Sequence, residues 1–377
     1  MTNRKSFRGL SLLWLVAILG VMLVACGDPT ATTAPAATTA SAATTKAASA
    51  TTAAGTTTAA ASGALTKLKL QVKWVHQAQF AGYYVAADKG YYKDMGLDVE
   101  ILSGGPDVVP SQKVLTGAAD IGIDWVGSLL ANRDKGQPLV DIGQFYQSSG
   151  MLLISKKTAN IKSVADLKGK KVGVWTGGNE FEFRALMDKY KLDNSIDNNK
   201  DMTVIKQGFD MDSFLNGQLD AASAMTYNEF NVVLEAGVKA DDLNVISYTT
   251  EGVGMLEDMV FVTEDTLKSK KDVLAKFLAA SQKGWQEAIK DPQGAVDSVM
   301  KRADKATTNP AHQLSMIKEV AKLVAPDGLA PEKFGFIDDA KFKTTADIAL
   351  KFNVISKAAA NAYTNDVMTA ATAMLKK

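Results

Sequence analysis

Short apolar–polar alternations separated by helical stretches run along the chain from residue 65, break off, and begin again after residue 162. This repetition constrains the fold more than any other feature. Leu68-Lys69-Leu70-Gln71-Val72 alternates as a half-buried strand does, residues 83–87 have helical character up to Gly90, and residues 97–101 alternate again. Residues 110–117 read as a helix, 120–123 as a third strand and 126–135 as a further helix. After Lys162, Ser163 caps a short helix, residues 170–175 form a strand and 179–190 a helix; residues 202–206, 211–216 and 221–225 continue as strand, helix and strand. Strands alternating with helices predict an α/β fold with a largely parallel sheet, and the restart predicts two lobes. From Lys268 the period lengthens, and residues 273–290, 311–323, 339–352 and 361–374 are amphipathic helices expected to pack on the first lobe. A length of 377 residues accommodates this plan. The expected division is residues 65–155 plus 261–377 in lobe 1 and 156–260 in lobe 2, with hinges near Ser155 and Phe261.

The chain before residue 65 cannot join such a core. Arg4, Lys5 and Arg8 precede an apolar stretch of 16 residues, 10–25, which is short for a spanning helix and reads as an export signal. It ends in Leu23-Val24-Ala25-Cys26-Gly27, which resembles the lipobox of bacterial lipoproteins. That resemblance implies cleavage before Cys26 and a diacylglyceryl thioether on its sulfur, anchoring the chain to the outer face of a bacterial cell membrane. An uncleaved anchor, or an ordinary signal with a chance cysteine, is the alternative. Residues 28–63 are almost wholly Thr, Ala and Ser, without an aromatic, and segment 26–64 reads as a flexible tether open to O-glycosylation.

Charge and ligand counts exclude several classes. A net charge of +1, becoming −2 once residues 1–25 are removed, and no Lys/Arg run longer than three argue against nucleic acid. One cysteine and two histidines rule out a disulfide framework and argue against a Cys/His zinc site. No metal or other cofactor is expected.

Residues 74–86 (WVHQAQFAGYYVA), then Lys89-Gly90-Tyr91-Tyr92 and Gly96-Leu97-Asp98-Val99, resemble the opening motif of the NMT1/THI5-like family. Leu115-Thr116-Gly117-Ala118-Ala119-Asp120-Ile121-Gly122-Ile123 and Leu167-Lys168-Gly169-Lys170-Lys171-Val172-Gly173-Val174 are similar to two further segments of that family, in the same order. The resemblance implies a type II periplasmic-binding-protein fold closing on a small ligand, a monomer, and ABC permease and ATPase subunits as partners. Relatives carry thiamine pyrimidine precursors, riboflavin or aliphatic sulfonates, whereas the eukaryotic branch makes the thiamine pyrimidine itself. That branch uses a histidine whose place is held here by Phe80, four positions after His76, and a cysteine-rich segment that this chain lacks. His312, in a C-terminal helix, reads as a surface or packing residue. Asp124, Glu229, Glu251, Glu257 and Asp258 show no spacing that requires acid–base work. The expectation is a binding protein and not an enzyme.

A cleft for a flat ring needs aromatic faces and a few amides or carboxylates at its edges. Such residues follow the predicted strands at their C-terminal ends, where open α/β sheets bind ligands. Trp74, Gln77, Gln79 and Phe80 follow the first strand, and Asp124 with Trp125 the third. In the second lobe Trp175, Gly177, Gly178, Asn179 and Glu180 follow one strand, and Tyr227, Asn228 and Glu229 another. Each aromatic taken singly packs a core as readily as it stacks on a ligand. The loop 176–181 could offer backbone N–H groups to a phosphate, but Glu180 and Glu182 oppose a dianion and the loop carries no Lys or Arg. An uncharged group fits better, and a plain glycine turn with Asn179 as helix cap fits equally well. Of the ligands that the resemblance implies, a pyrimidine or a flavin is expected before a sulfonate, because the loop is rich in Glu and aromatic rings.

Overall fold

The structure is a computed structural model in which residues 64–376 are described. The export signal, Cys26 and the tether lie outside the described residues, except Ala64. The chain runs through β1 (Thr66–Gln71), α1 (Ala81–Asp88), α2 (Tyr91–Asp94), β2 (Leu97–Leu102), α3 (Pro110–Leu115), β3 (Ile121–Asp124), α4 (Val126–Asp134) and β4 (Leu139–Gln144). It continues through β5 (Met151–Lys156), β6 (Lys171–Val174), α5 (Glu180–Lys189), β7 (Thr203–Lys206), α6 (Asp212–Leu215), β8 (Ala221–Met225), α7 (Glu229–Glu235) and β9 (Leu243–Ser247). It closes with β10 (Met259–Thr263), α8 (Glu264–Lys290), α9 (Pro292–Met300), α10 (Pro310–Val324), α11 (Asp339–Lys351) and α12 (Asp366–Leu375).

Two five-stranded sheets result, in the orders β2-β1-β3-β10-β4 and β7-β6-β8-β5-β9. In the first, β1 pairs in parallel with β2 and β3, whereas β10 runs antiparallel to both β3 and β4. The second repeats the plan: β6 is parallel to β7 and β8, and β5 is antiparallel to β8 and β9. Both sheets are thus mixed, each with one reversed strand, where the sequence pattern suggested largely parallel pairing. The reversed strand is in each case the first one formed after the chain passes from the other sheet.

Alternation does not mark β4, β5 or β10. All six residues of β4, and the first five of β5, are buried, so both faces are covered and no polar face marks the strand. The expected crossings near Ser155 and Phe261 fall inside β5 and β10. Ser155 pairs with Ala221 and Asn244 in the second sheet, and Phe261 with Gly122 and Asp141 in the first. The chain changes sheets over residues 145–150 and 248–258.

Each of the helices α8 to α11 starts where a side chain satisfies a free backbone N–H, on Thr263, Asp291, Asn309 and Asp338 respectively. Helix α8 begins nine residues before the amphipathic stretch at Val273, and a break at Lys270 (φ −126°) separates that first turn from the regular period. Helices α8 and α9 pack on α1, and α12 on α8 and β4, all in the first lobe as expected. Helices α10 and α11 also reach the second lobe, at α7 and α5. The α1–α8 contact is close because Gly82 lies under the Trp285 ring and Gly284 against the Gly82 carbonyl and Ala86. Around it Trp285, Tyr83, Phe145, Tyr146 and Phe277 pack ring against ring, and all but Phe277 share edge or tilted contacts with Trp285.

Candidate functional site

The C-terminal ends of β1, β3, β6, β7 and β8 face a cleft of about 360 Å³ between the two sheets. This falls within the usual size of small-molecule sites. Of the fourteen residues singled out in the sequence, the structure brings Trp74, Gln77, Gln79, Asp124, Trp125, Trp175, Gly177, Gly178, Asn179, Glu180, Tyr227, Asn228 and Glu229 to its wall. Phe80 is the exception. It closes the short turn Ala78–Phe80, is fully buried, and faces the core instead of the cleft. Adjacent residues of that turn point in different directions, so Gln79 reaches the wall and Phe80 does not.

Lys73, Ser128 and Phe209 are among the wall residues that the sequence did not single out. Lys73 binds Asp124 through an Nζ–Oδ1 contact of 2.6 Å with both side chains largely buried, and its ammonium lies 5.3 Å from the centroid of the Trp125 ring. The charge of Lys73 is thereby matched inside the wall. Ser128, on α4, approaches Gly178 of the opposite lobe. Phe209 follows β7 just as Trp175 follows β6, so the strand-end rule would have found it had it been applied there. Its ring is 44% exposed and lies 4.2 Å from that of Trp74, tilted by 54°. Trp74 and Phe209 come from opposite lobes.

Polar groups behind the aromatics are tied down. The Trp175 indole N–H donates to the Gly208 carbonyl at 2.9 Å, and the backbone N–H of Trp125 donates to Asp124 Oδ1 at 2.8 Å. Gln77 Nε2 donates to Gln79 Oε1 at 2.7 Å, and Gln79 Nε2 to Asp258 Oδ2 at 2.8 Å. Asp258 Oδ1 accepts from the Trp125 indole at 3.2 Å. Burial pushes the Asp258 carboxyl up, and the Gln79 bond with the Lys73 charge pulls it back. Its neighbour Glu257 is pushed up further by burial and by the Asp258 charge.

In the loop after β6, Gly177 and Gly178 adopt φ of +91° and +114°, which only glycine takes without strain. The Gly178 N–H, the donor a phosphate would use, is already taken by Glu180 Oε2 at 2.8 Å. Asn179 stands at the N-cap position of α5 but makes no side-chain cap bond. Glu182 turns away from its own helix end and accepts from the Met255 backbone in the second crossover. Glu229 accepts from the Met225 N–H at 2.9 Å and from Asn228 Nδ2 at 2.7 Å, and burial pushes its carboxyl up to about 7.

His312 is neither a surface nor a simple packing residue. It is buried on α10 and joins the lobes, with Nδ1 3.0 Å from Glu235 and Nε2 2.9 Å from Asn228 Oδ1, both on or beside α7. His76 lies outside the cleft wall, with Nδ1 2.9 Å from the Tyr84 hydroxyl, and burial lowers its pKa. Glu251 pairs with Lys189 at the surface.

Two mixed sheets joined by two crossovers, with a cleft between them, define a periplasmic-binding-protein fold. The solved structure of the periplasmic aliphatic sulphonate binding protein of Escherichia coli superposes with a TM-score of 0.59 at 14% identity, covering 78% of this chain and 90% of that one. The family model described as NMT1/THI5 like matches residues 77–295, more than half of the chain, and the chain belongs to that family. A formylaminopyrimidine-binding protein of Halalkalibacterium halodurans is 24% identical over 260 residues, 64% of this chain and 72% of its own. The riboflavin-binding protein RibY of Chloroflexus aurantiacus is 26% identical over 292 residues, 75% of this chain and 76% of its own. A 4-amino-5-hydroxymethyl-2-methylpyrimidine phosphate synthase of Uromyces fabae is 23% identical over 240 residues, 61% of this chain and 69% of its own.

Proposed function

We propose that this chain is the extracytoplasmic solute-binding component of an ABC importer, and that it captures a flat heteroaromatic vitamin or precursor, a thiamine pyrimidine precursor or riboflavin, between its lobes. The observation that carries the reading is the pairing of Trp74 with Phe209 across the cleft. Rings supplied by separate lobes touch each other across the mouth of the cleft, so they part when the lobes open and offer a planar ligand an apolar stacking surface contributed by both lobes. Gln77, Asn228 and Glu229 supply edge partners. The names of the two bacterial relatives agree with such a cargo.

An anionic sulfonate fits less well. Lys73 is matched by Asp124, the Gly178 N–H is taken by Glu180, and the other lysine on the wall, Lys135, is exposed at the rim. The name of the Uromyces relative keeps a synthase reading in view. Against it, Phe80 occupies the position of the family's histidine and is buried behind the wall, and neither His76 nor His312 lines the cleft. A closed, loaded form would be recognised by a membrane permease, with the lipid on Cys26 holding the body near it; Cys26→Ser should move the protein from the membrane fraction to the medium.

Calorimetric titration of the protein with riboflavin, formylaminopyrimidine, hydroxymethylpyrimidine and taurine tests the assignment. Saturable binding of one ring compound is expected. Binding of taurine alone, or conversion of a pyrimidine precursor by the protein, would overturn it.

A further inference from the structure

We infer that Asp258, which lies outside the cleft on the second crossover, sets the hydrogen-bonding polarity that Gln77 presents to the ligand. The inference rests on the cleft being the ligand site. In its ionised form, which the nearby Lys73 charge and the Trp125 indole donor favour, Asp258 only accepts hydrogen bonds; an indole N–H only donates, and a primary amide does one at each end. Asp258 meets Trp125 Nε1 with one oxygen and Gln79 Nε2 with the other. With its amino end committed to Asp258, Gln79 must turn its carbonyl toward Gln77. Gln77 must then donate through Nε2, which it does at 2.7 Å. The Gln77 carbonyl oxygen is left without a donor among the described residues, on a side chain that lines the cleft. Asp258, Gln79 and Gln77 are all buried, at 2%, 4% and 7% exposure, so water does not readily substitute for a broken link.

The chain of donors has one direction, and the residue at its far end fixes it. Asp258 is held by its own backbone, which sits at φ +53° between β10 and the loop from the second lobe. In the Asp258→Asn variant the Trp125 N–H still requires an acceptor, so the new amide must direct its oxygen to Trp125 and its nitrogen to Gln79. Gln79 then reverses, Gln77 reverses in turn, and the cleft is shown an N–H donor where it had a carbonyl acceptor. The variant residue never touches the ligand. A ligand that donates to Gln77 is expected to lose affinity by about tenfold or more, the cost of burying one unmatched polar group, and one that accepts there gains.

Neutron diffraction from deuterium-exchanged, ligand-free crystals of the wild type and D258N shows which end of each amide carries deuterons. The expected result is Gln79 donating to Asp258 in the wild type, and both Gln79 and Gln77 reversed in D258N. Either amide keeping its wild-type orientation in D258N overturns the inference. Should D258N fail to fold, Gln79→Met interrupts the chain instead; Gln77 should then lose its single orientation, and a Gln77 amide still ordered as in the wild type overturns the inference. Titration of both proteins with riboflavin and formylaminopyrimidine provides the second arm. Reversed amides with affinities unchanged within twofold would refute the specificity role. If the wild type binds neither compound, the proposed cargo falls, while the amide orientations still decide whether Asp258 sets them.

Discussion

Removing one ring of the Trp74–Phe209 pair should separate ligand binding from stability. Phe209 is 44% exposed, and its one aromatic partner among the described residues is Trp74, at 4.2 Å. Phe209→Ala therefore forfeits little core burial, and its cost to folding should be about 0.5 kcal/mol or less. Stacking of a heteroaromatic ring on an aromatic side chain is worth about 1–3 kcal/mol by alanine substitution, so Kd should rise roughly five- to a hundredfold at 1.4 kcal/mol per decade. Trp74→Ala should weaken binding at least as much, since indole offers the larger face. The two losses should be sub-additive, because the two rings touch and each helps to hold the other in place. Calorimetric titration alongside thermal melting of the single and double variants measures both quantities. Equal affinity for the ring compound in the wild type and Phe209→Ala, with the variant folded, would refute a stacking role for the pair.

Three further outcomes follow from the buried polar groups and the close helix contact. His312→Ala removes the partner of Asn228 Oδ1 across the lobes and should cost about 1 kcal/mol of stability, read as a lower urea midpoint with unchanged slope. Burial raises the Asp141 carboxyl from 3.8 to about 8, with Gly143 N–H the one bond that offsets it. The folded state therefore holds this proton where the unfolded chain has lost it: the contribution is fully present below about pH 4 and declines as pH rises to about 8. Asp141→Asn should flatten stability in that window, by an amount on the order of a few kcal/mol; an unaltered pH slope would contradict the assignment. Gly284→Ala inserts a Cβ against the Gly82 carbonyl and should cost about 1–3 kcal/mol in thermal or urea unfolding, with no effect specific to ligand binding.

Strand β1 was readable because one of its faces meets solvent: Thr66, Lys67 and Lys69 are exposed while Leu68 and Leu70 are buried. β4 carried no such contrast, since Asp141 and Gln144 are buried as completely as Leu139 and Ile142. The same limit concealed both reversed strands, and with them the places where the chain crosses between sheets. The cleft wall was legible for a different reason. Residues just beyond a parallel strand's C-terminal end face the crevice whatever the loop does next, and that rule brought Trp74, Asp124, Trp175 and Tyr227 to the wall. It could not separate Gln79 from Phe80, whose directions are set by a turn of three residues packed under α10.

Local pattern thus determined the α/β class, the two-lobed plan, the aromatic wall and the amphipathic C-terminal helices, because each depends on neighbours within a few residues. Tertiary structure alone decided who partners whom. Phe209 meets Trp74 across 135 positions in sequence, His312 reaches Asn228 across 84, and Asp258 reaches Gln79 across 179. Nothing in the composition of those segments announces the pairing, since a hydrogen bond or ring contact of this kind depends on where two sheets and their crossovers place side chains in space. The charge state and orientation of the groups around the cleft follow from that placement and from the water it excludes.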